Sequence, residues 1–485
     1  MHSLGTLRPT SYALLLGLAI ALVALAVGLL LGYTGVLITV VVLAALGGAV
    51  WALTDIEIGL WGIVAIIALL PFGALPVKIV FTPTFLDLAM GGVLLVYALQ
   101  SLRVSGRRRR ITTTPAHTPI LAFIVMAVFT FVAGLTNGPL TSNLIRHFAE
   151  FILSIAFTFV IVDWIDSREK LNRLVAVIIL CGAAAALLGI GLYVIPETLA
   201  ERALSSLRVI GYPSGSGGVL QYIESNPELG QRAIGTSVNP NAFGGLLAIV
   251  GALAAPQVTA PQPPFGSRRR WLWVAAFLLI AVCLILTFSR AAMAGLALGI
   301  FCAALASPRY RVWAVWLIIG AVVIGLLPWT QDYADRFVQG VQGADLATQM
   351  RFGEYKDAFI LLSRYPWIGV GFAAAPDIDI YLGVSNAYLS IAQQMGFTGL
   401  AVFGVVLLVV FGWAFDRRRA ARNDPALEPL FLGAHAALIA ALVVGLGDHY
   451  FVNLDFQPAQ TLFWMIVGLC LSATRLSRTS QKIAV

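Results

Sequence analysis

Three arginines, Arg232, Arg290 and Arg351, carry most of the chemistry open to this 485-residue chain. A guanidinium binds phosphate oxygens bidentately and keeps its charge at any ordinary pH, so a set of them can grip a diphosphate without a metal. Each stands near a predicted helix end. Arg290 lies in Leu286-Thr287-Phe288-Ser289-Arg290, where one apolar run stops and another starts almost at once. Arg232 precedes Gly235-Thr236-Ser237-Val238-Asn239-Pro240-Asn241, which offers good N-cap residues and a proline suited to a first helical turn. Arg351 opens an amphipathic stretch with Glu354 and Lys356. A helix N-terminus adds free N–H donors for an anion. Each has a plain alternative: a snorkelling or carbonyl-capping Arg290, a well-capped helix start after Arg232, and a solvated helix face around Arg351.

The elements that must position these residues are membrane helices. The chain is 59% hydrophobic and 11% charged, with a mean hydropathy of +0.90, whereas a soluble domain carries about 25% charged residues. Fourteen apolar runs are long enough to cross a hydrocarbon core, near 12–31, 35–54, 58–75, 84–102, 118–135, 147–165, 174–194, 238–256, 271–288, 291–306, 312–328, 386–414, 429–447 and 457–474. The expected fold is an all-α polytopic membrane protein of about fourteen transmembrane helices. The first run follows Arg8 and reads as a signal anchor. One large polar loop, 329–384, holds Arg336, Arg351, Glu354, Lys356 and Arg364.

Charge orients the bundle. With both termini cytoplasmic, 21 of the 31 basic residues face the cytoplasm, among them Arg107 to Arg110, Arg268 to Arg270 and Arg417 to Arg419. The basic balance therefore reports topology and anionic lipid rather than nucleic acid. Cys181, Cys283, Cys302 and Cys470 fall inside predicted spans without paired spacing, so no disulfide or metal site is implied. No Gly-rich phosphate loop is present, which argues against cytoplasmic nucleotide hydrolysis. Ten basic residues remain on the outer face: Lys78, Arg146, Arg202, Arg208, Arg232, Arg290, Arg336, Arg351, Lys356 and Arg364. The spans themselves carry almost no charge, Asp87 being the main exception.

In order and placement, these motifs resemble the O-antigen ligase and O-antigen polymerase family of bacterial surface-glycan assembly. The likeness is carried by Arg232 to Asn241, by Leu286 to Arg290, and by Arg351 followed by Pro366, Gly369 and Gly371. Last comes Ser385-Asn386-Ala387-Tyr388-Leu389 running into Gly396-Phe397-Thr398-Gly399-Leu400. It covers about residues 230–415. The corresponding division of the chain is 1–229 (about seven N-terminal helices and an outer loop), 230–415 (the core with loop 329–384) and 416–485 (C-terminal helices).

The resemblance implies a GT-C-like, metal-independent, inverting glycosyltransferase of the bacterial inner membrane, without a cofactor. It would move a glycan from an undecaprenyl-diphosphate carrier to an acceptor glycan or glycolipid at the periplasmic face, with a chain-length regulator as a further expected partner. Arg232, Arg290 and Arg351 would hold the diphosphate; Asn241, Asn386, Tyr388 and Arg364 would line the glycan side. Family ligases carry a His just before the Asn, where this chain has Ser385, which cannot take a proton at neutral pH. Glu354 is one substitute; Asp448 with His449, in Gly447-Asp448-His449-Tyr450-Phe451, is another. The missing His moves the expectation from ligase toward polymerase. From other classes, a lipid-linked oligosaccharide flippase would suit the helices and arginines, though transporters place ionisable residues near the bilayer midplane. A peptidoglycan polymerase of the shape–elongation–division type would have fewer spans.

Overall fold

The computed structural model describes residues 55–75, 82–103, 112–212, 219–264, 266–326, 346–376 and 383–483. The runs expected at 12–31 and 35–54, together with Arg8, Lys78, Arg107 to Arg110 and Arg336, lie outside the described residues. So does part of the polar loop 329–384, of which 346–376 and 383–384 are described.

The described helices are α1 (Ile56–Leu69), α2 (Phe85–Arg103), α3 (His117–Gly134), α4 (Ser142–Trp164), α5 (Arg168–Val194), α6 (Glu197–Ser206), α7 (Pro240–Val258), α8 (Arg270–Leu286), α9 (Arg290–Ala306), α10 (Arg311–Leu326), α11 (Leu346–Arg364), α12 (Ala387–Arg422), α13 (Glu428–Gly447) and α14 (Gln457–Ile483). Seven are long and apolar enough to cross a membrane: α3, α4, α5, α7, α12, α13 and α14. The apolar helices α1, α2, α8 and α9 are shorter. This is a multi-pass helical membrane protein.

Side chains written at the helix starts stop the chain fraying there. Thr141, Ser167, Asn239 and Asn386 cap α4, α5, α7 and α12 by accepting from backbone N–H groups of the first turn. Lipid offers no hydrophobic drive for helices to associate, so they pack through small residues. A Cβ at Gly295 or Gly299 of α9 would stand 2.8 or 2.5 Å from the Ala440 or Ala436 carbonyl oxygen of α13. One at Gly433 of α13 would stand 2.7 Å from the Leu253 carbonyl oxygen of α7. These contacts make α7, α9 and α13 a tight central trio.

The run expected as a single span from residue 386 breaks at Gly396, where φ is 68° and ψ −176°. The turn after α11 enters this break. Val370 and Gly371 N–H donate to Gln393 O at 2.8 Å and Gln394 O at 3.0 Å, and Phe397 N–H donates to Pro366 O at 2.7 Å. The glycines allow it: Gly371 takes φ +79° and lies against Gly134, where a Cβ would meet the Gly134 Cα at 2.5 Å. The Pro366/Gly369/Gly371 and Gly396 motifs therefore lock α11 onto α12.

A short antiparallel ribbon, β1 (Gln221–Tyr222) and β2 (Gln231–Arg232), pairs Gln221 with Arg232. Beside it a small apolar cluster gathers Ala200 and Leu204 of α6 with Val219, Leu220 and Ile234. The ribbon was not legible in the sequence, and it carries Arg232.

Candidate functional site

Arg232 reaches across to the turn between α8 and α9. Ala233 N–H donates to Leu286 O at 2.8 Å. Arg232 Nε donates to Thr287 O, and its Nη2 to Asn241 Oδ1 in the first turn of α7, both at 2.8 Å. Arg290 is the first residue of α9, three positions beyond Thr287. The two motifs that are 58 residues apart in the chain thus form one assembly, with Arg232 bracing the turn that presents Arg290. Its backbone is strained at two non-glycine positions, Val238 (φ 57°) before the α7 cap and Phe288 (φ 52°) before Arg290. Left-handed valine and phenylalanine each cost about 1–3 kcal/mol, and such strain collects at functional sites.

The second assembly is built on α11. Glu354 Oε2 accepts from the Ser385 N–H at 2.8 Å. Asn386 Nδ2 donates to Leu446 O at 3.0 Å, and the Tyr355 hydroxyl to the same oxygen at 3.3 Å. Directly after α13 comes Asp448, whose Oδ1 lies 3.5 Å from His449 Nδ1. Burial pushes the Asp448 carboxyl above its usual range; the charges of His449 and Arg351 oppose that shift, and Glu354 adds to it. The start of α11 and the end of α13 therefore share one electrostatic environment.

Segment 445–451 joins the two assemblies. A Cβ at Gly447 would meet the Ala291 Cβ, next to Arg290, at 2.7 Å. One at Gly245 of α7 would lie 2.7 Å from the Tyr450 ring, and one at Gly445 would lie 2.5 Å from the Phe451 ring and 3.2 Å from the Ala387 Cβ. Phe451 in turn stacks on Phe463 of α14 with centroids 4.2 Å apart. Arg232, Arg290, Arg351, Glu354, Asn386, Asp448 and His449 are consequently drawn to one end of the α7/α9/α13 trio.

Not every expected site residue joins them in the same way. Arg364 ends α11 thirteen residues after Arg351, about 20 Å further along the helix at 1.5 Å per residue, so it stands apart. Asn386 spends its oxygen on the N–H groups of Tyr388 and Leu389 as the α12 cap. The Tyr388 hydroxyl donates to Leu442 O at 2.7 Å. Both shape the wall of the site through bonds within the protein. Sequence reasoning missed Tyr450, which packs against Gly245, and the pairing of His147, on α4, with Asp455 in the same loop. It also missed Glu150: buried at 5% exposure in α4, it adds an internal ionisable group beyond Asp87. Among the described residues no group of three or more His, Cys, Asp or Glu is arranged to hold a metal ion.

Residues 275–404 match the O-antigen ligase family. The match supports the O-antigen ligase and polymerase resemblance, and with it a membrane enzyme of that type. The O-antigen ligase match takes in Arg290, Arg351, Glu354, Ser385 and Asn386. Arg232, Asn241, Asp448 and His449 lie outside it and reach the matched stretch through the fold. No curated protein matches the chain.

Proposed function

We propose that this chain transfers a glycan from an undecaprenyl-diphosphate carrier to an acceptor hydroxyl at the outer face of the bacterial inner membrane, acting as a surface-polysaccharide polymerase. The observation that carries the reading is the meeting of the Arg290 turn, the start of α11 and the Asp448–His449 pair around segment 445–451. In this proposal the chain has fourteen spans in a GT-C-like arrangement with both termini cytoplasmic, a reading that the distribution of basic residues supports.

The chemistry follows from the side chains. The acceptor oxygen attacks the anomeric carbon from the face opposite the diphosphate, inverting it. The carbon–oxygen bond to the diphosphate breaks, and the leaving electron pair ends on phosphate oxygens. Arg290 and Arg351, with Arg232 bracing the Arg290 turn, offset that charge where it develops. Guanidiniums can do this without a metal. Glu354 is tied to Ser385 N–H, whereas His449 turns Nδ1 toward Asp448. That orientation leaves Nε2 to take the acceptor proton, the carboxylate steadying the imidazolium that results. The Asp448–His449 pair thereby replaces the histidine that Ser385 displaces.

The test is to incubate the purified protein in nanodiscs, with EDTA, with an undecaprenyl-diphosphate-linked repeat unit. A ladder of products indicates a polymerase. Single transfer onto lipid A–core would make it a ligase. Translocation in vesicles with no new glycosidic bond would overturn the enzyme reading in favour of a flippase.

A further inference from the structure

Helix α11 presents three faces, because at 3.6 residues per turn its positions sort around the axis. Ala358, Leu361 and Leu362 are buried where the helix packs on α12, the side on which Glu354 accepts from Ser385 N–H. Gly353, Asp357 and Arg364 fall together as a polar flank. The third face is apolar and points outward. Phe352 is 57% and Phe359 60% exposed, and the exposed Lys356 lies between them. A shallow cleft of about 560 Å3 opens along it, lined by Phe352, Tyr355, Lys356, Phe359, Ile360 and Ser363. An amphipathic helix with water on its outer side would carry polar residues there.

The neighbouring spans show what lies against this face. Beyond the break at Gly396, α12 exposes Phe397, Ala401, Val405, Leu408, Gly412 and Phe415 in a single stripe. This is the lipid-facing side of a helix long and apolar enough to cross a membrane. The stripe is about 27 Å long at 1.5 Å per residue, close to the roughly 30 Å of a hydrocarbon core. The Arg418 guanidinium lies 3.4 Å from the centroid of the Phe415 ring, at the cytoplasmic end in the topology proposed above. Phe397 therefore marks the outer boundary. The turn after α11 is bonded at that level: Phe397 N–H donates to Pro366 O at 2.7 Å, and the Thr398 hydroxyl donates to Trp367 O. Trp367 is 70% exposed, at the depth where interfacial aromatics collect. Nearer the other end of α11, the Tyr355 hydroxyl donates to Leu446 O at 3.3 Å, in the last turn of the α13 span. Both attachments are to the outer ends of spans, so α11 lies along the membrane surface.

We propose that α11 is an interfacial helix whose Phe352–Phe359 face docks on phospholipid of the outer leaflet, with the Lys356 stem among the acyl chains and its ammonium at the phosphates. The face continues the lipid-facing stripe of α12 through Trp367 and Phe397, and its cation suits an anionic headgroup. This seat places Arg351, one residue before Phe352, at the level of the lipid phosphates. The seat itself does not depend on the glycan-transfer reading.

The test uses the full chain in nanodiscs of phosphatidylethanolamine and phosphatidylglycerol, with the photo-crosslinker p-benzoylphenylalanine placed singly at Phe352, Phe359 or Asp357. The probe is itself an aromatic side chain, and the two phenylalanines it replaces are exposed, so the fold is kept and each position is read independently. After irradiation, mass spectrometry is expected to find phospholipid adducts at 352 and 359 and their loss at 357, on the polar flank. Adducts to a second chain or to another segment of this chain overturn the proposal, because protein then covers the face. No adduct at 352 or 359, or equal phospholipid yield at 357, overturns it as well. A last arm adds undecaprenyl diphosphate to the discs: phospholipid adducts are expected to persist, and their replacement by polyprenyl adducts would assign the face to the donor tail instead.

Discussion

Glu354 Oε2 accepts the Ser385 backbone N–H at 2.8 Å, so one of the carboxylates offered by the sequence to stand in for a missing histidine tethers the residue that replaced it. That bond ties α11 to the start of α12. It holds the start of α11, with Arg351 one turn earlier, where the Arg351 charge acts on Asp448 just after α13.

A tether and a base respond differently to amidation. Glu354→Gln keeps an oxygen acceptor for Ser385 N–H, and transfer activity should stay within about threefold of wild type. Glu354→Ala leaves that N–H without its charged acceptor, a loss of about 1.5–3 kcal/mol, and should lower both thermal stability and turnover. A Gln variant as inactive as the Ala variant would return the base role to Glu354.

The arginines should separate by position. Arg290→Lys keeps the charge but loses the planar fork, and turnover of the lipid-linked donor should fall about 10- to 100-fold. Arg232→Lys should also break the bridge to Thr287 O and Asn241 Oδ1, so its loss should be accompanied by a lower melting temperature. Arg364→Lys, at the other end of α11, should leave turnover within about twofold. Near-wild-type turnover in Arg290→Lys would show that bidentate holding is unnecessary.

Backbone crossing at the α12 break predicts a sharp glycine requirement. At Gly396, with φ +68°, a Cβ would collide with Trp367 O, and at Gly371 it would meet Gly134 Cα at 2.5 Å. Gly396→Ala and Gly371→Ala should each destabilise the protein by more than about 2 kcal/mol. Gly404→Ala, with nothing within 4 Å of the added methyl, should be neutral or slightly stabilising. Thermal unfolding in detergent distinguishes the three.

Acid should expose the His147–Asp455 bond. The Asp455 carboxyl titrates below its ordinary value of 3.8 because His147 donates to it. Its contribution to stability is therefore fully present above that ordinary value, and is lost as pH falls toward the lower folded one. Melting temperatures measured from pH 6 down to pH 3 should fall less steeply in Asp455→Asn than in wild type. Parallel curves would mean the bond contributes nothing to stability.

Helix placement was legible because a bilayer imposes a period and a length that composition alone reveals. All seven helices long enough to cross coincide with apolar runs read from the chain. The cap at Asn239 and the first-turn Pro240 stand where their residue types put them. Two features escaped for identifiable reasons. The ribbon that holds Arg232 has only two residues per strand, too few for an alternating pattern to show. Glu150 sits inside an apolar run whose average hides a single carboxylate, and the Arg146 that compensates it reads as an ordinary outer-face cation.

From its order of residues alone this chain determined that it would be a helical membrane protein, where its helices would start, and that arginines would stand near helix ends, since each of these depends on chemistry within about twenty neighbouring positions. Only the tertiary structure decided which of those residues meet. Ala291, next to Arg290, is set against Gly447, next to Asp448, where α9 meets α13, Glu354 is bonded to the Ser385 N–H, and Asp455, in the loop after His449, is paired with His147 on α4. Those pairings bridge 31 to 308 residues of sequence, and side-chain packing between distant helices is a property that no local pattern encodes.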